Sequence, residues 1–478
     1  MRVKEFPVLK GGLARIVSVT ALVMSFGLTA CSPVKEYQRP DVQLPSTYPG
    51  PATPGKELAR VPYRKFFTDP DLLTLIDSAV ENNHDLLIAM KNIDYARESY
   101  DVSRLGFLPD ATMGGAASYT RASENSSTAI NGQNRTARNY TAALTVSWEA
   151  DIWAKLKNRK KAALAEYLRS TDAARAVRTT LVSSVAQSYW NLKMLDAQID
   201  ITRHNIALAD TTLTMMRLQY DAGNLTSLAV QQQESQLLAA KGSIPKLEAA
   251  RSAQENALSI LAGRMPGSVI KRSPGYVSMT VSDSLGAGVP LELLRNRPDV
   301  RAAEESLMQQ HASMGAAKAL LYPSLTVTAQ GGLNAIVSNK WFSTPGSLFD
   351  TVQGSLLQPV FRRGELKAGY EQSKIRRDQA ELTFRQTLFK AVGEVSNALV
   401  QVEQTGLQEG FAARRVATLR QAAANARLLF QSGMATWLEV ITAESAQLQS
   451  ELDLADVRRS HLSALADLYR SVGGGWQE

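Results

Sequence analysis

Two stretches about 210 positions apart carry the same text, and few features constrain a fold more than a long chain that repeats itself. The first is Arg217-Leu218-Gln219-Tyr220-Asp221-Ala222-Gly223-Asn224-Leu225-Thr226-Ser227-Leu228-Ala229-Val230, followed by Glu234. The second is Arg427-Leu428-Leu429-Phe430-Gln431-Ser432-Gly433-Met434-Ala435-Thr436-Trp437-Leu438-Glu439-Val440, followed by Glu444. Arg, Leu, the aromatic, Gly, Thr, Leu, Val and Glu fall in register without a gap. In each copy a helical pattern runs into a glycine that can take the left-handed conformation ending a helix, and a threonine stands where the next helix would be capped. Each copy therefore reads as the turn of a helical hairpin, and the chain holds two hairpins.

The arms of these hairpins are long. Residues 153–220 contain neither Gly nor Pro, and a continuous helix there would measure about 100 Å. Pro359 is the last proline, so 365–430 and 437–468 can run as helices too. Helices of this length need partner helices along their course. Their apolar positions are small and spread out (Ala162, Ala163, Ala165, Leu168, Ala173), which suits packing between neighbouring helices more than one thick core.

A second internal match aligns 85–109 with 299–323, each a helical pattern running into a proline, Pro109 or Pro323. Ahead of the first copy, Asp69 and Pro70 supply an N-cap and a first helical position. Beyond each proline the period changes from helical to alternating, over 141–148, 324–330 and 351–356, with 112–119 a weaker member. These are four strands in two pairs, joined by polar loops at 121–139 and 332–347. One apolar face on strands of this length fits a transmembrane barrel, and it also fits a soluble sheet with one wet face. Four strands are too few to close a barrel, since the smallest have about eight, so a barrel would have to be shared among several chains.

Residues 1–30 have the shape of a secretory signal: a basic start, an apolar run over 16–28, then small residues. Cys31, the single cysteine, ends Leu28-Thr29-Ala30-Cys31, which resembles a bacterial lipobox in which the cysteine is diacylated and becomes the mature N-terminus. A buried free thiol is the alternative. Ser32 after the cysteine resembles the outer-membrane sorting pattern. The formal charge of +8 suggests an anionic partner, but Arg2, Lys4, Lys10 and Arg15 against Glu5 place +3 of it in the leader. No dense basic stripe with interleaved aromatics remains, so nucleic acid is not an expected partner.

The chain is thus expected to divide into a signal (1–30), a lipidated Pro-rich tether (31–68), a first repeat (69–265), a linker (266–290), a second repeat (291–472) and a short tail (473–478). His84, His204, His311 and His461 are dispersed, and no phosphate loop, nucleophile elbow or metal-ligand pair is present, so no enzyme, metal site or cofactor is expected. The cluster Lys155-Lys157-Arg159-Lys160-Lys161 opens the long helix, where the helix dipole disfavours cations. It reads either as a solvated face or as a contact with anionic lipid headgroups just below a barrel.

With leader, hairpins and strands together, the chain resembles the outer-membrane efflux channels of the TolC and OprM type, in their lipoprotein branch. The resemblance rests on Tyr37-Gln38-Arg39-Pro40, Asp69-Pro70, Asn82 with Asp85-Leu86, Leu294 with Arg297-Pro298-Asp299, Gln358-Pro359-Val360-Phe361 and the closing Gly473-Gly474-Gly475-Trp476. It implies a mainly α fold with a transmembrane β-barrel: a homotrimer whose long antiparallel helical hairpins form an α-barrel and whose four strands per chain make a twelve-stranded barrel. It also implies a periplasmic adaptor and an inner-membrane pump as partners, outer-membrane lipid as surroundings, and a passive conduit exporting drugs, toxic compounds or metal ions. The adaptor contacts map to Gly223, Asn224, Leu225 and Thr226 and to Gly433, Met434, Ala435 and Thr436. The periplasmic gate maps to Leu438, Glu439 and Thr442, with threonine where the family carries its second acid. Glu439 then either forms a ring of three carboxylates or simply helps cap its helix. A lipid-anchored coiled-coil scaffold without a pore, and a protein-secretion channel, are the alternative readings.

Overall fold

The computed structural model describes residues 33–49, 56–126, 131, 134–273, 285–286 and 288–477; the leader and Cys31 lie outside the described residues. The first long element is α1 (Pro70–Asn82), started by Asp69, whose carboxylate accepts from the N–H groups of Asp71 and Leu72 at 3.0 and 3.3 Å. Leu72, Leu75, Ile76 and Ala79 form its buried face. Asn83 then breaks the helix and caps α2 (His84–Leu105) by accepting from Leu86 N–H at 3.0 Å.

The rest of the first repeat is β1 (Asp110–Arg121), β2 (Thr136–Ala150), α3 (Lys155–Asp221) and α4 (Ser227–Leu261). The second repeat follows the same order: α5 (Pro298–Ala319), β3 (Ser324–Ala335), β4 (Leu348–Leu357), α6 (Glu365–Gln431) and α7 (Trp437–Ser471). Equivalent helices match in length: 22 residues in α2 and α5, 67 in α3 and α6, 35 in α4 and α7. The helix α4 runs through Pro245, at the cost of one backbone hydrogen bond. Among the described residues no helix is long and apolar enough to cross a membrane.

The four strands form one antiparallel sheet in the order β1-β2-β3-β4. The strands outrun their alternating sequence, because pairing continues past it, from Asp110 opposite Ser147 to Arg121 opposite Thr136.

The chain forms two compact units. One contains the sheet, with residues 33–39, Arg97–Glu166 and Leu307–Ala380; the other contains Pro40–Ala96, Tyr167–Ser306 and Glu381 onward. In the second unit, part of the stretch expected to be an extended tether is helical and buried. A turn at Tyr63–Phe66 inserts Phe66 flat against Tyr469 (ring centroids 4.3 Å) and Phe67 edge-on to it (6.0 Å). Aromatic rings bury too much apolar surface to be left in solvent. Tyr189, also buried, donates to Asp69 at 3.0 Å.

Two motifs of the sequence acquire a structural role here. The Arg297 guanidinium is buried and donates to the Ser471 carbonyl (2.9 Å) and to both Asp299 oxygens (3.0 and 2.6 Å), and it pairs with Glu394 at 2.9 Å. In the first repeat Asn83 takes the equivalent place, donating to the Leu261 carbonyl at 3.0 Å. The closing glycines lie against this junction. A Cβ on Gly474 would fall 2.3 Å from the Tyr469 ring, and Trp476 donates to the Asn296 carbonyl at 3.1 Å.

Candidate functional site

The strand register sorts every side chain of the sheet onto one of two faces. Met113 lies opposite Leu144, which lies opposite Gly331; Ala111, Val146, Ala329 and Val352 form the next row, and Trp148, Val327 and Gly354 the one after. This face is apolar apart from Arg121, Thr136, Arg138 and Asp350, all placed toward the β1–β2 and β3–β4 loops. The other face carries Thr112 opposite Thr145 opposite Gln330 opposite Thr351, with rows such as Asp110, Ser147, Thr328 and Gln353 beside it. On that face Asn334 donates to Asn139 at 3.0 Å and to Thr141 at 3.3 Å. Every residue of β1 is exposed on both faces, and Met113 is 87% exposed. A sheet apolar on one side, polar on the other and covered on neither matches a wall between hydrocarbon and water.

The two hairpin turns share one geometry. After α3, Gly223 takes φ +77°, its N–H reaches the Tyr220 carbonyl (2.9 Å), and Asn224 N–H reaches Gln219 (2.8 Å). After α6, Gly433 takes φ +74°, with the same pair of bonds to Phe430 (3.1 Å) and from Met434 to Leu429 (2.9 Å). Both are Schellman closures, which need a residue tolerant of positive φ. Gly223, Asn224, Thr226, Gly433, Met434 and Thr436 are exposed, and Leu225 and Ala435 are half-buried. Below each tip an arginine on one arm pairs with a glutamate on the other, Arg217 with Glu234 at 3.4 Å and Arg427 with Glu444 at 3.7 Å.

The turns differ in their capping. Thr226 precedes α4 but makes no side-chain cap bond. Thr436 precedes α7 and donates both its N–H (2.6 Å) and its hydroxyl (3.0 Å) to the Glu439 carboxylate. Those two bonds hold the Glu439 carboxyl below its usual range. Glu439 is therefore a cap acid in this chain, while Leu438 beside it and Thr442 one turn on are exposed. Where Glu439 stands in α7, α4 has the buried Ala229.

The model of the outer membrane efflux protein family matches residues 75–264 and 289–474. The chain belongs to that family. The cation efflux system protein CusC of Escherichia coli O6:H1 is 28% identical over 462 residues, covering 95% of this chain and 98% of that protein. The solvent efflux pump outer membrane protein SrpC of Pseudomonas putida is 29% identical over 458 residues, covering 94% and 96%. A solved structure of CusC, described as following folding and transmembrane channel formation, superposes with a TM-score of 0.82 at 27% identity over 93% of this chain and all of that one.

This family member is an outer-membrane efflux channel, mostly helical with a four-stranded antiparallel sheet. The scaffold without a pore is set aside. The relatives are named as efflux and channel proteins, not as enzymes. Among the described residues no cluster of His, Cys, Asp and Glu could hold a metal ion. Reading the sequence alone missed the polar face as a set, because its members come from strands up to about 240 positions apart and only pairing brings them into rows. Alternation within each strand was the available signal, and it does not fix the phase between strands.

Proposed function

We propose that three copies of this chain close a single twelve-stranded barrel and act as a passive conduit for small molecules. The observation that carries this is the sheet's two free edges. Among the described residues β1 and β4 each pair on one side only, and unpaired strand edges are not tolerated in hydrocarbon. Because strand direction alternates, β4 of one copy runs antiparallel to β1 of the next, so the ladder continues head to tail until it closes. Twelve strands lie within the range of known barrels, whereas four do not. The helices support the same assembly: α6 leaves Ile375, Leu382 and Phe389 exposed at heptad spacing, an apolar seam suited to a second copy.

On this reading the polar face lines the water-filled lumen and the apolar face meets lipid. Cys31 carries the lipid anchor. The turns at Gly223, Asn224, Leu225 and Thr226 and at Gly433, Met434, Ala435 and Thr436 meet a periplasmic adaptor, which links the channel to an inner-membrane pump. Leu438, Glu439 and Thr442 line the closed entrance, with Glu439 contributing a ring of negative charge. CusC and SrpC, named for cations and for solvent, are almost equally similar to this chain, so the shared architecture leaves the cargo to the pump.

The test is cross-linking between one cysteine placed along β1 and one along β4, scanned to find the inter-copy register. A ladder of bands ending at three copies is expected. A ladder that runs on without limit, or no product at any register, would overturn the shared barrel.

A further inference from the structure

The end of the sheet unit where strands meet helices carries a collar of exposed cations. There β2 ends at Ala150, β3 begins at Ser324 and β4 ends at Leu357. Indole groups mark the level: Trp153 donates to the Pro323 carbonyl (2.9 Å) and stacks on Tyr322 (centroids 4.7 Å), and Trp148 donates to the Phe107 carbonyl (3.0 Å). Just beyond, Lys157, Arg159 and Lys161 project from the first turns of α3, and Arg362 and Arg363 from the turn before α6; all five are exposed.

Two of the nearby acids are already engaged. Glu149 pairs with Lys155, removing that lysine from the collar, and Asp151 accepts from the N–H groups of Leu156 (2.9 Å) and Lys157 (2.8 Å). Glu365 approaches Arg362 only to 3.9 Å, and Glu36 approaches Lys161 only to 3.8 Å. The first turn of α3 holds no acid of its own, and the Asp151 carboxylate before it is taken up by two N–H groups, so the exposed cations stand near the positive end of the helix dipole, which disfavours them. A negative surface outside the chain would offset what Asp151 leaves of that penalty.

The N-terminal strap says which surface this is. Lys318, at the end of α5, donates to the Pro33 carbonyl at 2.8 Å; His311 Nε2 lies 3.0 Å from the Lys35 carbonyl, and Tyr37 packs edge-on to the His311 ring at 5.8 Å. Pro33 is therefore tied down beside the collar. Only one residue, Ser32, separates it from Cys31, a reach of at most about 7 Å. An acyl chain on Cys31 would enter the bilayer next to these cations.

We propose that Lys157, Arg159, Lys161, Arg362 and Arg363 form a seat for the headgroups of anionic phospholipids in the leaflet that receives the Cys31 anchor. The inference rests on the lipidated-channel reading above. Lysines and arginines at a bilayer surface favour anionic over neutral lipid by roughly fivefold each at low salt.

The test uses the full-length, lipidated protein in vesicles that mix phosphatidylglycerol with phosphatidylcholine, one of the two brominated in turn, and reads quenching of tryptophan emission. Phosphatidylglycerol is expected to be preferred at least about fivefold at low ionic strength, with the preference fading in high salt as exposed charges are screened. Replacing all five cations by Gln should bring the preference close to one. Equal quenching by the two lipids in the wild-type protein overturns the seat without needing the variant to fold, and leaves the channel reading intact. Quenching by neither lipid overturns both. Loss of the preference on adding inorganic phosphate would mark a free-anion site, and would also overturn the headgroup seat.

Discussion

Adjacent positions in the middle of β2 offer a direct test of the two-faced sheet. Leu144 lies between Met113 and Gly331 on the apolar face, is 50% exposed within the chain, and sits near the midpoint of a 15-residue strand. Thr145 lies between Thr112 and Gln330 on the polar face. An arginine facing lipid at the bilayer midplane costs about 2–4 kcal/mol, whereas one facing an aqueous lumen costs little. Leu144→Arg should therefore shift the unfolding equilibrium by roughly 30-fold to 1000-fold, and Thr145→Arg should stay within about 0.5 kcal/mol of the parent. Urea titration of the protein in lipid vesicles, followed by tryptophan emission, measures both. Were the sheet wet on both faces, each substitution would be a surface change of similar small cost. Equal costs, or a reversed order, would refute the assignment of faces.

Other outcomes follow from the same structure. Arg297→Ala strips two acids and the Ser471 carbonyl of their shared donor and should cost about 3 kcal/mol in a thermal melt. Arg297→Lys should recover only part of that, because a lysine cannot reproduce the fork to Asp299. Burial, reinforced by Asp172 and Glu304, pushes the Glu305 carboxyl up to about 7, so the folded state holds its proton longer than the unfolded chain does. That contribution is complete below pH 4.5 and is lost as pH rises toward 7. Glu305→Gln should flatten this slope and raise stability at neutral pH by about 1–2 kcal/mol after allowance for solvent screening. Gly433→Ala places a Cβ in the left-handed region with no neighbour to clash, so it should cost about 1 kcal/mol and loosen the second turn, seen as faster proteolysis there. Glu439→Gln should lower cation selectivity, read as a shifted reversal potential in planar bilayers; an unaltered potential would leave Glu439 with its capping role alone.

The sequence by itself determined the elements. The Gly223 and Gly433 turns, the helix start at Asp69-Pro70 and the uninterrupted run into Tyr220 were legible because each depends on neighbours within a few residues. Local signals also misled in places. Thr226 occupies a cap position without making a cap bond, and residues 58–68 looked like tether although Tyr63, Phe66 and Phe67 are buried. Only the tertiary structure decided which face of each strand joins which. Leu144 meets Gly331 across nearly 190 positions, and period-two alternation leaves the phase of that pairing open. The same holds for Arg297 at the Ser471 carbonyl and for Lys318 at Pro33, both bonds between segments more than 170 residues apart. Sequence patterns fix what a segment can become, because helix and strand periods are local. Partners for buried charge, and the two faces of the sheet, arise only when distant segments pair.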